Sequence, residues 1–342
     1  MRRDLKKLMG AALLFGLFAP AGAQQADPTK WALAIHGGAG VAPRDEMTPE
    51  RRKAIEAVLH QALAAGEAVL RDGGDSVAAV EAAVRVLEDS PLFNAGRGAA
   101  LDETGMARHD AAIMRGRDHA AGAVAGSTRI RNPISAARAL MEEDGPVLLA
   151  GEGADRFAAD KGLQLAPELY FQTEERRRAL IDQRSRDIGA TEEASLHNEA
   201  QFGTVGAVAI DDRGNLAAAT STGGRTNKRL GRIGDSPLIG AGTYASNESC
   251  AVSATGHGEY FIRWTVARDV CALVEYRGMD IEAASKQIVI GKLKPLGGGG
   301  AVIALDAQAK PAFVMNGRGM YRGFVSSASR AGVAIYIDEP LN

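Results

Sequence analysis

The chain of 342 residues has only two cysteines, Cys250 and Cys271, and aromatic residues make up 5% of it. Two thiols are too few for a disulfide framework or a thiolate zinc cage. They leave one bridge or two buried thiols, and two buried thiols are the expectation. Six histidines are present, among them His109, His119 and His257, but none has His-x-x-x-His or Cys-His spacing, so a catalytic zinc site has no support. No Gly-x-Ser-x-Gly elbow accompanies His36-Gly37-Gly38-Ala39-Gly40, which removes a lipase-type reading of that glycine loop. Gly240-Ala241-Gly242-Thr243-Tyr244-Ala245 mimics a dinucleotide fingerprint, yet no helical apolar stripe follows it, so no nucleotide cofactor is expected. A dense basic face is also missing. Arg176, Arg177, Arg178, Arg184 and Arg186 alternate with Glu174, Glu175, Asp182 and Asp187, the pattern of a solvated helix and not of a nucleic-acid surface.

The N-terminus reads as an export label. Arg2, Arg3, Lys6 and Lys7 precede an uncharged run, Met9 to Phe18, and Ala21-Gly22-Ala23 supplies the small residues of a signal peptidase site. The run is shorter than the roughly 20 residues that span a bilayer. The expectation is cleavage after Ala23 and a periplasmic or secreted protein with no membrane attachment. The general export route is favoured, because the residue before the arginine pair is neither Ser nor Thr. Losing residues 1–23 leaves the mature chain mildly acidic.

No repeat or Pro-rich linker divides the remainder. Trp31 to Ile35 reads as a buried strand. Ile55, Val58, Leu59, Ala62 and Leu70 have helical spacing, stopped by Gly73-Gly74, and Asp75 caps a second helix. Val205 to Ile210 and Leu216 to Thr220 flank a turn-rich loop and read as a hairpin. Phe261 to Tyr276 and Ile281 to Leu293 read as helices, Gly297 to Gly300 as a turn, and Ala301 to Leu305 as a strand. Residues from about 179 to 203 lack periodicity and read as a mobile linker.

That linker ends at Gly203-Thr204, at the start of a strand. If the bond is cut, Thr204 gains a free α-amino group beside its own hydroxyl, so nucleophile and general base occupy one residue. An α-amino group titrates at roughly 7.7–8.0, low enough to be partly neutral near pH 7. Thr222, in Thr220-Ser221-Thr222-Gly223-Gly224, closes the paired strand and is placed to hydrogen-bond Thr204. Arg232 and Asp235 are three apart in a glycine-rich loop. They are either a surface ion pair or a clamp for the α-carboxylate and α-ammonium of an amino acid. Thr255-Gly256-His257-Gly258-Glu259 offers a hydroxyl and close backbone groups for an oxyanion.

Taken together, HGGAG at 36–40, PLFNAGRG at 91–98, GTVGAVA at 203–209, TSTGG at 220–224, GRIGDSPLIGAG at 231–242 and TGHGE at 255–259 resemble the plant-type L-asparaginase/isoaspartyl peptidase family of N-terminal-nucleophile hydrolases. The likeness covers nearly the whole mature chain. It implies a four-layer αββα sandwich in a single domain, cut into an α chain (24–203) and a β chain (204–342) that pair as a dimer of heterodimers, (αβ)2. It implies hydrolysis of β-aspartyl dipeptides and L-asparagine by Thr204 with support from Thr222. Arg232 and Asp235, helped by Gly256 and Gly258, would bind the substrate's α-carboxylate and α-ammonium. Thr255 and the Gly256 amide would hold the oxyanion, and Asn94 would orient the nucleophile's amino group.

No cofactor is implied for catalysis. A structural sodium ion would sit on Leu87, Glu88, Ser90, Phe93, Ala95 and Arg97, mostly through backbone carbonyls. The enzyme alternative is glycosylasparaginase, against which TSTGG stands where that group has TSTNG. The non-enzyme alternative is an uncleaved homologue that only binds. One stretch departs from the family pattern: Arg108-His109-Asp110-Ala111-Ala112-Ile113-Met114-Arg115-Gly116 carries arginine at two positions where relatives are acidic.

Overall fold

The strands around Thr204 are built of small and β-branched residues on both faces, VGAVAI and LAAATST, a composition that suits strands covered on both sides. The computed structural model describes residues 30–188 and 203–341. It begins with β1 (Ala32–Ala39), α1 (Pro49–Arg71), α2 (Ser76–Asp89) and a 3-10 turn at Gly96–Gly98. There follow β2 (His109–Arg115), β3 (Ala121–Ser127), α3 (Pro133–Met141), β4 (Leu148–Ala150), α4 (Gly151–Asp160), α5 (Glu168–Phe171) and α6 (Glu174–Asp187). After Thr204 come β5 (Val205–Ile210), β6 (Leu216–Thr222), β7 (Thr243–Ala245), β8 (Cys250–Gly256), α7 (Gly258–Trp264), α8 (Val266–Arg277) and α9 (Ile281–Lys286). A π-helical stretch, Gln287–Leu293, leads to β9 (Gly300–Asp306), β10 (Pro311–Met315), β11 (Gly319–Ser326) and β12 (Ser329–Tyr336). No described helix is long and apolar enough to cross a membrane.

Eight strands form one sheet in the order β12-β11-β1-β5-β6-β2-β3-β4, and four form a second, β10-β9-β8-β7. Period-two alternation sorts the side chains between its faces. Leu33 and Ile35 of β1 join Leu59, Leu63, Val80 and Val84 of α1 and α2 in one core. Their neighbours Ala32 and Ala34 join Val208, Ala218, Ala251 and Ile303 in a core that contains strands of both sheets. On β8 and β9, Val252 and Val302 pack with Val270 and Ile281 of α8 and α9. The fold is mixed α/β, with apolar cores on either side of the large sheet.

The segments before Gly203 and after Thr204 are woven into the same sheet. β1 lies between β11 and β5, and β2 lies beside β6. The register pairs His36 with Gly206, Val205 with Ser221 and Asp110 with Thr222. Cutting the chain at Gly203–Thr204 removes none of these ladders.

Helix α1 starts where Thr48 accepts from the Arg51 amide at 3.2 Å, and it ends before Gly73, which has φ +79°. Asp75 caps α2 by accepting from the Ala78 amide at 2.7 Å. The hairpin of β5 and β6 forms as its sequence predicts. Four expectations are corrected. Cys250 and Cys271 are disulfide-bonded, with Cα atoms 5.4 Å apart, because the start of β8 packs against α8. Helix α6 runs to Asp187, so the linker expected from residue 179 does not begin there. The helix had no apolar stripe to mark it and is held instead by Thr173 at its N-cap and by pairs such as Arg178–Glu174. The helix expected from Phe261 to Tyr276 is broken at Thr265, which has φ +45°. The glycines at 297–300 are more than a turn: a methyl on Gly300 would strike the Thr255 carbonyl at 2.6 Å, so the run lets β9 pass close under β8. The expected signal peptide and the rest of the linker, residues 189–202, lie outside the described residues.

Gly66 of α1 faces Ala79 and Ala83 of α2. A methyl there would meet Leu33 Cδ2 at 2.5 Å and the Ala79 carbonyl at 2.9 Å. Alanine gains about 1 kcal/mol of helix propensity, but overpacking against a fixed carbonyl costs roughly 1–3 kcal/mol. Gly66→Ala should therefore lower the unfolding midpoint. A midpoint at or above that of the wild type would contradict this packing.

Candidate active site

Thr204 stands immediately before β5, on the same alternation as Gly206 and Val208, so its side chain shares their face toward the second sheet. It is 6% exposed. Its Oγ1 donates to the carbonyl oxygen of Gly203 at 2.7 Å and lies 3.3 Å from Thr222 Oγ1. The same carbonyl oxygen accepts from Thr222 Oγ1 at 3.0 Å and from Asn94 Nδ2 at 3.0 Å. Three donors from three parts of the chain thus converge on one peptide oxygen. Asn94 is held in turn by the Gly224 carbonyl at 2.6 Å and the Ala100 amide at 2.7 Å. Thr222 Oγ1 accepts from the Gly224 amide at 3.0 Å.

Thr204, Thr222, Arg232, Asp235 and Gly256 line one narrow cleft together with Gly203. Asp235 is buried, and its Oδ2 has no hydrogen-bond partner in the structure. Burial pushes its carboxyl up to about 7, against the opposing pull of Arg232. A buried carboxylate with an open oxygen is suited to a cation arriving from solution. Arg232 turns its Nε and Nη2 toward Glu259 Oε1, at 3.1 and 3.0 Å, and presents Nη1 toward Gly234 and Gly224. Burial pushes Glu259 up, but Arg232 outweighs this and holds its carboxyl below the usual range. Gly258 keeps the clamp open: a methyl there would stand 2.9 Å from Asp235 Oδ1 and 3.0 Å from Arg232 Nη2.

Of the expected oxyanion pair, Gly256 borders the cleft. Thr255 is buried behind it, and its hydroxyl accepts from the Ala39 amide of β1 at 3.1 Å. Asn94 is expected beside an amino group, but in this uncut chain it lies on the carbonyl side of the Gly203–Thr204 bond.

A buried polar chain crosses from one sheet to the other beneath the cleft. His36 Nε2 meets Ser253 Oγ at 2.9 Å, Ser253 Oγ meets Thr220 Oγ1 at 2.7 Å, and Thr243 Oγ1 donates to Thr220 Oγ1 at 2.7 Å. Thr243 Oγ1 is also 3.1 Å from the Ser236 carbonyl, next to Asp235. Burial pushes His36 down to about 3, so its imidazole is neutral at any working pH. Sequence reasoning missed this chain, and it missed Glu259 and Arg225, which also contribute to the site. The TGHGE motif ended on Glu259 and Arg225 directly follows TSTGG, but only the fold brings either to Arg232.

The loop of residues 87–97 follows α2. A methyl on Gly96 would strike the Glu88 carbonyl oxygen, and one on Gly98 those of Phe93 and Pro91, so these carbonyls turn inward on the loop. The Glu88 side chain is buried and pushed up to about 8 by desolvation. It accepts from Ser221 Oγ at 2.6 Å and the Ile134 amide at 3.0 Å. The Arg97 guanidinium lies over the Tyr170 ring at 5.5 Å. Among the described residues no three His, Cys, Asp or Glu side chains gather as a metal-holding group, so a cation here would rest on carbonyl oxygens.

A sequence profile of the asparaginase family matches residues 29–335. The chain is 44% identical to the isoaspartyl peptidase of Salmonella typhimurium over 309 residues, which is 90% of this chain and 99% of that protein. It is also 44% identical to the isoaspartyl peptidase of Escherichia coli, over 90% of this chain and 96% of that one. Against the human isoaspartyl peptidase/L-asparaginase the identity is 41%, over 79% and 85% of the two chains. With Thr204, Thr222, Arg232 and Asp235 gathered on one cleft and the likeness running almost end to end, the chain belongs to the plant-type L-asparaginase/isoaspartyl peptidase family of N-terminal-nucleophile hydrolases.

Proposed function

We propose that this protein cuts its own Gly203–Thr204 bond and then hydrolyses β-aspartyl (isoaspartyl) dipeptides and L-asparagine, releasing L-aspartate. The observation that carries this reading is the Gly203 carbonyl, which has the Thr204 hydroxyl at 2.7 Å and two further donors on its oxygen. Attack of Thr204 Oγ1 on that carbonyl carbon places negative charge on an oxygen that Thr222 and Asn94 already hold, the arrangement that lowers an acyl-transfer barrier. The chain shifts from amide to ester as the hydroxyl proton passes to the Thr204 nitrogen. Water then resolves the ester and leaves a free α-amino group.

In the mature site that amino group serves as base for its own hydroxyl. Thr204 Oγ1 attacks the side-chain carbonyl of the substrate, the departing amine takes the proton, and water releases aspartate from the acyl-enzyme. Arg232, braced by Glu259, holds the α-carboxylate and Asp235 the α-ammonium, while Thr255 and the Gly256 amide serve the oxyanion. In the uncut chain the cleft has about 10 Å³ of free volume, room for little more than a water molecule. On this reading, maturation also opens the substrate site by releasing Gly203.

The architecture we propose is the four-layer αββα sandwich, supported by the cores on both sides of the large sheet. The two chains then assemble as an (αβ)2 dimer. The signal-like N-terminus supports a periplasmic or secreted location, and the Cys250–Cys271 bridge agrees with an oxidising compartment. The Glu88 and Phe93 carbonyls that face Gly96 and Gly98 support the proposal of a sodium ion held by Leu87, Glu88, Ser90, Phe93, Ala95 and Arg97. Such an ion would supply charge to fix the loop that carries Asn94.

Three outcomes test this function. Thr204→Ala should remain one chain by intact mass and release no aspartate, and normal processing in that variant would remove Thr204 from the reaction. The second concerns Asp235. Because its carboxyl is raised to about 7, the protonated form dominates below that pH and cannot pair an ammonium. Affinity for L-aspartate should therefore rise with pH between 5.5 and 7.5, by up to about tenfold per unit below the pKa. Calorimetry that finds no pH dependence there would refute this role. The third is positional specificity. An α-aspartyl peptide has spent its α-carboxyl in the amide and leaves Arg232 unmatched, so aspartate should be released from β-Asp-Leu at least about a hundredfold faster than from α-Asp-Leu. Comparable rates would overturn the assignment of Arg232.

A further inference from the structure

The cleft contains a second arginine that the clamp does not use. Arg225 lines it along with Thr204 and Arg232, and its charged neighbours are Glu259, Asp187 and Arg232. Its position relative to the nucleophile is fixed from both sides. Thr222 Oγ1 accepts from the Gly224 amide, and Asn94 Nδ2 donates to the Gly224 carbonyl, so the residue just before Arg225 is bonded to the same two side chains that touch the Gly203 carbonyl. Another cation is close by. Lys228 is buried and donates to the carbonyls of Arg108 and Gly223 at 3.0 and 2.9 Å. Arg232 has turned its Nε edge to Glu259. Arg225 is half-buried, close enough to the cleft for a ligand to reach.

The substrate chemistry gives this cation a partner. A β-aspartyl dipeptide carries two free carboxylates: the α-carboxylate of the aspartyl residue and that of the residue released as the leaving amine. Asparagine carries only the first. One arginine answers the carboxylate common to both substrates, and a second, in the same cleft, is placed to answer the carboxylate that only the dipeptide carries. The second carboxylate is only two bonds from the scissile nitrogen, so the group that reads it must stand beside the nucleophile, where the Thr222–Gly224 turn places Arg225.

We propose that Arg225 is the specificity residue for the leaving half of the substrate, pairing with the free α-carboxylate of the amino acid attached to the β-aspartyl group. The inference rests on the proposed function and extends it. It makes dipeptides ending in a carboxylate better substrates than amidated ones. Arginine suits this task because its planar fork matches a carboxylate, and the pair strengthens in a cleft that excludes water.

The test compares β-Asp-Leu with β-Asp-leucinamide on the mature enzyme, alongside L-asparagine. Leucinamide is the less basic amine and the better leaving group, so intrinsic reactivity favours the amide, and any preference for the acid must come from binding. The wild type should show kcat/KM for β-Asp-Leu at least about tenfold above that for the amide. The gap should close in Arg225→Gln and survive in part in Arg225→Lys, which keeps a point charge but loses the fork. Added salt should narrow it as well. Equal kcat/KM on acid and amide in the wild type, a comparison that needs no variant, would overturn the proposal. So would a gap that persists undiminished in Arg225→Gln, since Arg225 would then serve the aspartyl half or none. Failure of the wild type to release aspartate from either dipeptide or from asparagine would count against the enzymatic reading itself, a result distinct from the loss of acid-over-amide preference.

Discussion

The structure is organised around one peptide oxygen, the carbonyl of Gly203. Its three donors, Thr204, Thr222 and Asn94, come from the start of β5, the end of β6 and the loop after α2. They meet because of strand alternation. Val205 and Ser221 are register partners, so each of the two neighbouring threonines, one residue before and one after, emerges on the opposite face to the helix-packed core. A one-residue slip of either strand would send its hydroxyl into the core containing Ala207, Ala219 and Val84. The small side chains of β5 and β6 follow from the same need, since they let two sheets approach closely enough for the second to deliver Gly256 at the end of β8. Gly206 marks the limit of that approach, because a methyl there would strike Ser253 Oγ of β8 in the second sheet.

Charge is concentrated where the fold can least easily solvate it. Asp235 is buried with an open oxygen, Glu259 is held ionised by Arg232, and Lys228 is buried against two carbonyls. An unpaired buried carboxylate disfavours the folded state wherever it is ionised. That cost is tolerable at a site whose ligand brings the missing cation, and it makes Asp235 a stronger pointer to a ligand than Arg232, whose ion pair is complete without one. The neutral polar chain from His36 to Thr243 differs. With His36 kept uncharged by burial, its hydroxyl and imidazole groups set the two sheets in register without adding a charge to desolvate.

What was legible in the sequence was local. Thr204 and Thr222 are joined by a tight hairpin, and the caps of α1 and α2 are read within four residues, so pattern alone places them. What escaped was set by distance along the chain. Glu259 reaches Arg232 across 27 positions, and Cys250 meets Cys271 only because β8 packs on α8. Helix α6 was cut short for another reason. It carries almost no apolar face, with only Leu180 and Gln183 buried among its residues, so hydrophobic periodicity had nothing to report and its capping and ion pairs were the remaining signal. The glycines at 297–300 look like a turn in any sequence window, and their part in admitting β9 beneath Gly256 appears only when the two strands are side by side.

Arg108 and Arg115, at the two ends of β2, show how the fold accommodates charge beside its site. Arg108 pairs with buried Asp102 at 2.6 Å, an acid also satisfied by Thr104 and the Met106 amide. Arg115 is shared between Asp118 and Glu142 at the other end of β2. Each cation therefore has a nearby carboxylate, and neither lines the cleft. The start of this segment supports the site: the Arg108 carbonyl, just before β2, takes Lys228 Nζ, and Asp110 of β2 lies opposite Thr222. A carbonyl is the same whatever side chain follows it, so the side chains at the ends of the strand can vary while the position of Thr222, and with it the geometry on the Gly203 oxygen, is kept.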